Sequence, residues 1–163
     1  MIEVTVASLG LDRTTNTPVV ILREKEGSRV LPIWIGPAEA SAIAMELQGI
    51  KAPRPMTHDL FKTVIVGLGA ELRRVLISAL KDKTYFAELL LHRDDHLFQF
   101  DARPSDSIAL AVRLNAPIFT DPQLLEHPGE ETAEPGSDAA LDAERLKQHL
   151  EKMDPQDFGK FNP

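Results

Sequence analysis

Leu97-Phe98-Gln99-Phe100-Asp101-Ala102-Arg103-Pro104-Ser105-Asp106-Ser107-Ile108-Ala109-Leu110-Ala111 changes its period part-way along. Leu97 to Phe100 reads as a strand. Arg103-Pro104-Ser105-Asp106 then opens a helix whose Ile108, Ala109, Val112 and Leu114 face inward. Asn115-Ala116-Pro117 stops that helix, and Ile118-Phe119 reads as a short last strand. Working backwards, Leu72–Leu80 and Thr84–Leu91 flank the turn Lys81-Asp82-Lys83, so the quoted strand completes a three-stranded meander. An earlier block repeats the theme. Ile2, Val4 and Val6 alternate, Val19–Leu22 is a second strand, and Arg29–Ile35 a third that carries Pro32, which favours a sheet edge or a bulge.

Two helices separate the blocks. Gly36-Pro37 opens the first, with Ala40, Ile43, Ala44 and Leu47 on one stripe and Gly49 as its stop. The second is expected to be capped by Thr57, to bury Leu60, Phe61, Val64, Ile65 and Leu68, and to end at Gly67–Gly69. The order βββ-αα-βββ-α-β predicts an α+β fold, with a mixed, mostly antiparallel sheet and helices packed on one face.

The net charge of −7 is uneven. Residues 1–120 carry 14 Lys/Arg against 14 Asp/Glu, whereas residues 121–163 carry 4 against 11. The expected organisation is a body over 1–125, a flexible acidic linker over 126–137, and a C-terminal helix and tail over 138–163. The 163-residue chain has no cysteine, which removes disulfides and thiolate chemistry. Its start lacks the pattern of a secretory signal, and no stretch reaches the roughly 20 apolar residues of a membrane span, so a cytoplasmic protein is expected with no membrane partner. A neutral body is not the basic footprint of a dedicated nucleic-acid binder.

Three segments together resemble the bifunctional nuclease domain family. They are Leu31-Pro32-Ile33-Trp34-Ile35-Gly36-Pro37-Ala38-Glu39-Ala40, Arg54-Pro55-Met56-Thr57-His58-Asp59-Leu60, and Asp101-Ala102-Arg103-Pro104-Ser105-Asp106-Ser107-Ile108-Ala109-Leu110-Ala111. The family usually has Ala where Ser107 stands. The resemblance covers roughly residues 1–125, and Pro155-Gln156-Asp157-Phe158 looks like the close of bacterial members. It implies cleavage of RNA and DNA, the activity associated with some plant relatives.

Phosphodiester hydrolysis needs an activated water, charge stabilisation on a non-bridging oxygen and help for the leaving oxygen. Glu39, Asp101, Arg103 and Asp106 are the candidate catalytic residues, with Ser105, His58 and Lys62 as substrate contacts. Asp101 and Asp106 could share a divalent cation, Mg²⁺ or Mn²⁺, while Arg103 grips a phosphate. A purely structural reading stands beside this one: Glu39 favours its helix dipole, Asp106 caps the third helix and Arg103 pairs with Asp101. The expected partners are nucleic acid and further copies of the chain, because Val19–Leu22 and Leu89–Leu91 need cover. The alternative function is a non-catalytic homo-oligomeric interaction module that binds a protein partner.

Overall fold

The computed structural model describes residues 1–128. The expected helix and tail over 138–163, and all but the first residues of the expected linker, lie outside the described residues. The elements are β1 (Ile2–Leu11), β2 (Pro18–Glu24), β3 (Val30–Trp34), α1 (Pro37–Leu47), α2 (Thr57–Gly67), β4 (Glu71–Lys81), β5 (Thr84–Arg93), β6 (His96–Ala102), α3 (Pro104–Leu114) and β7 (Ile118–Thr120). A 3₁₀ turn follows at Pro122–Leu124. Glu126 then ties itself to Val30 by two main-chain hydrogen bonds of 2.8 and 2.9 Å.

All seven strands form one sheet in the order β3-β2-β1-β7-β4-β5-β6. Among the described residues only β4 and β7 pair in parallel. β7, three residues long, joins the two blocks by pairing with β1 on one side and β4 on the other. Its Thr120 is fully buried, and the hydroxyl donates to Ile77 O at 3.2 Å. The turn between β4 and β5 puts Asp82 at φ 49° and Lys83 at φ 61°, the pair of left-handed residues that matches strand twist in a two-residue hairpin. Pro32 sits on β3, an edge strand, where its missing N–H costs no ladder bond.

The expectation that Val19–Leu22 and Leu89–Leu91 need an oligomer for cover does not hold. They belong to β2 and β5, each flanked by strands of the same sheet, and among the described residues the outer strands are β3 and β6. The helices share one face: α1 packs over β2, α3 over β4 and β5, and α2 against α3 and β4. One core unites Val20, Leu22, Leu31 and Ile43 with Val75, Ile77, Leu89 and Ile108.

Helix ends follow local chemistry. α1 and α3 each begin with proline at the first helical position, where the missing N–H has no intrahelical partner to lose. α1 and α2 each end in the same motif. Gly49 and Gly69, at φ 69° and 72°, let the next residue, Ile50 or Ala70, donate back to Met45 O or Ile65 O.

Two side-chain expectations are corrected. The N-cap of α2 is Met56 rather than Thr57, and the Asp59 carboxylate accepts from the Met56 N–H at 3.0 Å. Of the apolar stripe on α2 only Ile65 is buried, and Leu60, Phe61, Val64 and Leu68 are exposed. Leu47 of α1 is exposed as well. The 3.6-residue period marked a face correctly but could not say whether this chain covers it.

Candidate active site at the helix N-termini

Each helix carries an acid at its third residue: Glu39 in α1, Asp59 in α2 and Asp106 in α3. A carboxylate in a first turn is favoured by the helix dipole by about 0.3–1 kcal/mol. Here each acid also reaches across to another element or to its own cap.

Arg103, the N-cap residue of α3, is the centre of the cluster. Its Nη1 donates to Glu39 Oε1 at 3.0 Å, its Nε to Asp106 Oδ2 at 2.8 Å and its Nη2 to Asp106 Oδ1 at 3.1 Å. A guanidinium has five N–H donors, so two are left uncommitted by these bonds. The side chain is 66% exposed, whereas the acids that hold it are 20% (Glu39) and 31% (Asp106) exposed. His58, from the first turn of α2, places Nε2 3.0 Å from Asp106 Oδ1. Three helices therefore meet at one carboxylate and one guanidinium.

Burial works against ionisation of Asp106 and is the largest single influence. The hydrogen bonds and charges of Arg103 and His58 together outweigh it and hold the carboxyl below its ordinary value. Arg103 is held above its ordinary value, first by its hydrogen bond to Asp106. An ionised carboxylate can only accept, so the His58 nitrogen facing Asp106 carries the proton and the other ring nitrogen keeps its lone pair whenever the ring is neutral.

Gly36 makes room for this arrangement. The Glu39 carboxylate folds back over the Gly36 α-carbon, where any Cβ would collide with Oε2. In α3, Ser107 Oγ donates to Arg103 O at 3.0 Å and closes the first turn beneath the guanidinium.

The other expected site residues are placed differently. Asp101 pairs with Glu88 across β5 and β6. Directly paired residues share a side of the sheet, and Ala87, Leu89 and Leu91 face the core. Phe98, Phe100 and Ala102 therefore lie on the helix side, and Asp101 on the opposite side. No hydrogen bond or ion pair among the described residues joins Asp101 to the cluster; the pairing of Arg103 with Asp101 is replaced by its bonds to Asp106 and Glu39. Ser105 is buried. Lys62 follows His58 by one turn of α2, is half-buried, and makes no ion pair among the described residues.

The arrangement does not fit a shared Mg²⁺ or Mn²⁺ site on Asp101 and Asp106. Both Asp106 oxygens are committed to Arg103 and His58. No three His, Asp or Glu side chains among the described residues are grouped to hold a metal ion. The basic positions of the meander are partly neutralised, Arg73 by Glu71 at 3.3 Å and Arg93 by Asp94 at 3.6 Å.

Sequence reasoning missed Arg113. It is 5% exposed, in the last turn of α3. Nε donates to Asp59 Oδ1 at 2.8 Å, Nη1 to Ala109 O at 2.9 Å and Nη2 to Ala42 O at 2.9 Å, so one guanidinium ties α1, α2 and α3 together behind the cluster. An arginine near a helix C-terminus is ordinarily a surface residue facing the dipole, and nothing in its spacing distinguishes this one.

Comparison with known proteins agrees with these segments. A family model described as the bifunctional nuclease domain matches residues 20–133, a span that holds every residue of the cluster. The chain is 40% identical over 162 residues to an uncharacterized protein of Mycobacterium tuberculosis, covering 96% of this chain and 97% of that protein. It is 32% identical over 122 residues to Bifunctional nuclease 2 of Oryza sativa subsp. japonica and 28% identical over 123 residues to Bifunctional nuclease 1 of Arabidopsis thaliana. These matches cover 72% and 73% of this chain but only 38% of each plant protein. Among the described residues no helix is long and apolar enough to cross a membrane. The chain belongs to the bifunctional nuclease domain family.

Proposed function

We propose that the chain is a nuclease that hydrolyses phosphodiester bonds of RNA or DNA at the Glu39–His58–Arg103–Asp106 cluster. The observation that carries this reading is the exposed Arg103 guanidinium, fixed by two carboxylates yet retaining two N–H donors, beside an imidazole held by the same Asp106. The free donors of Arg103 take a non-bridging phosphate oxygen and stabilise the charge that grows there. Asp106 orients His58, whose unprotonated ring nitrogen accepts the proton of the attacking water as the P–O bond to the leaving oxygen breaks; solvent protonates the departing oxygen. Glu39 positions Arg103. Asp101, on the far side of the sheet, serves as the comparison residue in the test.

The test is cleavage of end-labelled single-stranded RNA and DNA by purified protein, run with Mg²⁺, with Mn²⁺ and with chelator. Arg103→Lys, His58→Ala and Asp106→Asn are each expected to lower the rate by about 10²–10⁴, and Asp101→Asn by far less. Activity that survives Arg103→Ala and Asp106→Asn unchanged would remove the site. A second reading, the non-catalytic interaction module, draws on one observation. With His58 neutral the cluster carries one cation against two anions, a balance that suits a latch between helices as well as it suits a phosphate site. Nucleic-acid affinity that does not weaken with salt, or is absent, favours that reading.

A further inference from the structure

The described chain leaves apolar side chains uncovered in two places. On α2, Leu60, Phe61, Val64 and Leu68 form one stripe and are each 45–58% exposed. On β6, Phe98 and Phe100 are 43% and 49% exposed, with ring centroids 6.4 Å apart in a stacked pair. Both places belong to the same end and the same side of the sheet. α2 leads through Gly69-Ala70 into β4, Glu71 at the start of β4 pairs with His92 of β5, and His92 pairs with Leu97 of β6. Among the described residues β6 is also an open edge, whose seven residues, His96–Ala102, pair on one side only.

We infer that this face is covered by a second copy of the chain, with β6 of each copy paired antiparallel about a two-fold axis at Gln99. Three arguments select that occupant. An open strand edge offers a row of main-chain donors and acceptors that another strand satisfies. The sequence of β6 is self-complementary in one register. With Gln99 opposite Gln99, all seven residues pair, Phe98 meets Phe100 on the helix side, and Asp101 meets Leu97 on the other. Shifting by one pair sets Asp101 opposite Asp95, and shifting the other way brings in Pro104, which has no N–H to donate. The third argument is area. The exposed fractions of the six residues leave roughly 500–600 Å² of apolar surface per copy, taking about 200 Å² for a whole phenylalanine and somewhat less for leucine and valine. Summed over the two places, that is most of the ~800 Å² per partner of a standard interface. A two-fold axis perpendicular to the sheet puts both sets of helices on one face, so both α2 stripes lie on the same side of the joined sheet as the four phenylalanines.

The test uses the full chain. Sedimentation at micromolar concentration should give twice the 18.0 kDa chain mass. The doubly charged variant Phe98→Glu/Phe100→Glu should raise the dimer dissociation constant on the order of 100-fold or more with an unchanged far-ultraviolet spectrum. Because the chain has no cysteine, Gln99→Cys gives a second readout that does not depend on a disruptive substitution. Cα atoms of directly paired residues lie about 4.5–5.5 Å apart, within disulfide reach, so mild oxidation should give a covalent dimer, while Lys25→Cys at the far end of the sheet should give none. A monomer at 100 μM overturns the inference. So does a dimer indifferent to the Phe98/Phe100 change that fails to cross-link through Gln99. A monomer whose β6 amides are still protected from exchange assigns the face to residues 129–163 instead, and likewise overturns it.

Discussion

Removal of the Asp59 carboxylate tests whether the cluster rests on a buried support or on a surface contact. In the native chain Arg113 is almost wholly enclosed, its side chain 4% exposed, and Asp59, 32% exposed, is the anion that balances it. The remaining donors bind the carbonyls of Ala109 and Ala42. Asp59→Ala leaves a cation in the interior with two neutral acceptors and no counter-charge, and it also strips the Met56 N–H of its cap. Breaking a buried pair from one side costs about 3–5 kcal/mol, against about 0–1 for a surface pair. Against a total stability of roughly 5–15 kcal/mol, that is a large fraction. With a urea slope near 2 kcal/mol/M it moves the unfolding midpoint down by roughly 1.5–2.5 M. Urea titration at pH 7, followed by circular dichroism at one protein concentration, measures this. Asp59→Asn retains a hydrogen-bonding oxygen and should lose less, about 1–3 kcal/mol. A loss below 1 kcal/mol in Asp59→Ala would refute the argument, because it would place the pair among screened surface contacts.

Acid should unfold the protein in part through the same groups. Asp59 and Asp106 sit below their ordinary value of 3.8 in the folded chain, so their stabilisation is present above that value and is lost as the pH falls through the lower, folded one. The fall in stability below about pH 4 should flatten in Asp59→Asn and in Asp106→Asn, as urea midpoints between pH 2 and 5 will reveal. Gly36→Ala keeps an allowed backbone, φ −74° and ψ 159°, but its methyl group displaces the Glu39 carboxylate. Nuclease rate should fall about tenfold or more while the unfolding midpoint barely moves, and equal loss of both would contradict the positioning role. Thr120→Val preserves shape in the centre of the sheet but leaves Ile77 O without its hydroxyl donor; a cost of about 1 kcal/mol in urea unfolding is expected.

Much of the architecture was legible because the strands announce themselves by alternation and the helices by proline starts and glycine stops. Pro37, Pro104, Gly49 and Gly69 all do in three dimensions what their local chemistry suggested. What one segment cannot encode is its cover. The stripe on α2 has the same period whether this chain or another buries it, so period alone places Phe61 and Val64 in the core, which takes only Ile65 of that stripe. The site was legible in its residue types and not in its wiring. Glu39 and Arg103 are separated by 64 positions, and their contact follows from the lateral packing of α1 on α3 rather than from any local pattern. Asp101 lies two residues from Arg103, yet the strand alternation sends it to the other side of the sheet.

β7 gives the sheet an unusual order of assembly. Residues 118–120 lie between β1, which begins at residue 2, and β4, which begins at residue 71, and among the described residues no other strand bridges the two blocks. Each block can form its own antiparallel ladders early, but both must hold an inner edge open until the last strand arrives. Such long-range closure is slow, and an edge left waiting invites the wrong partner. The three residues Ile118, Phe119 and Thr120 thus set the moment at which nascent halves become one body, and lesions there should surface as poor folding yield before they surface as lost catalysis.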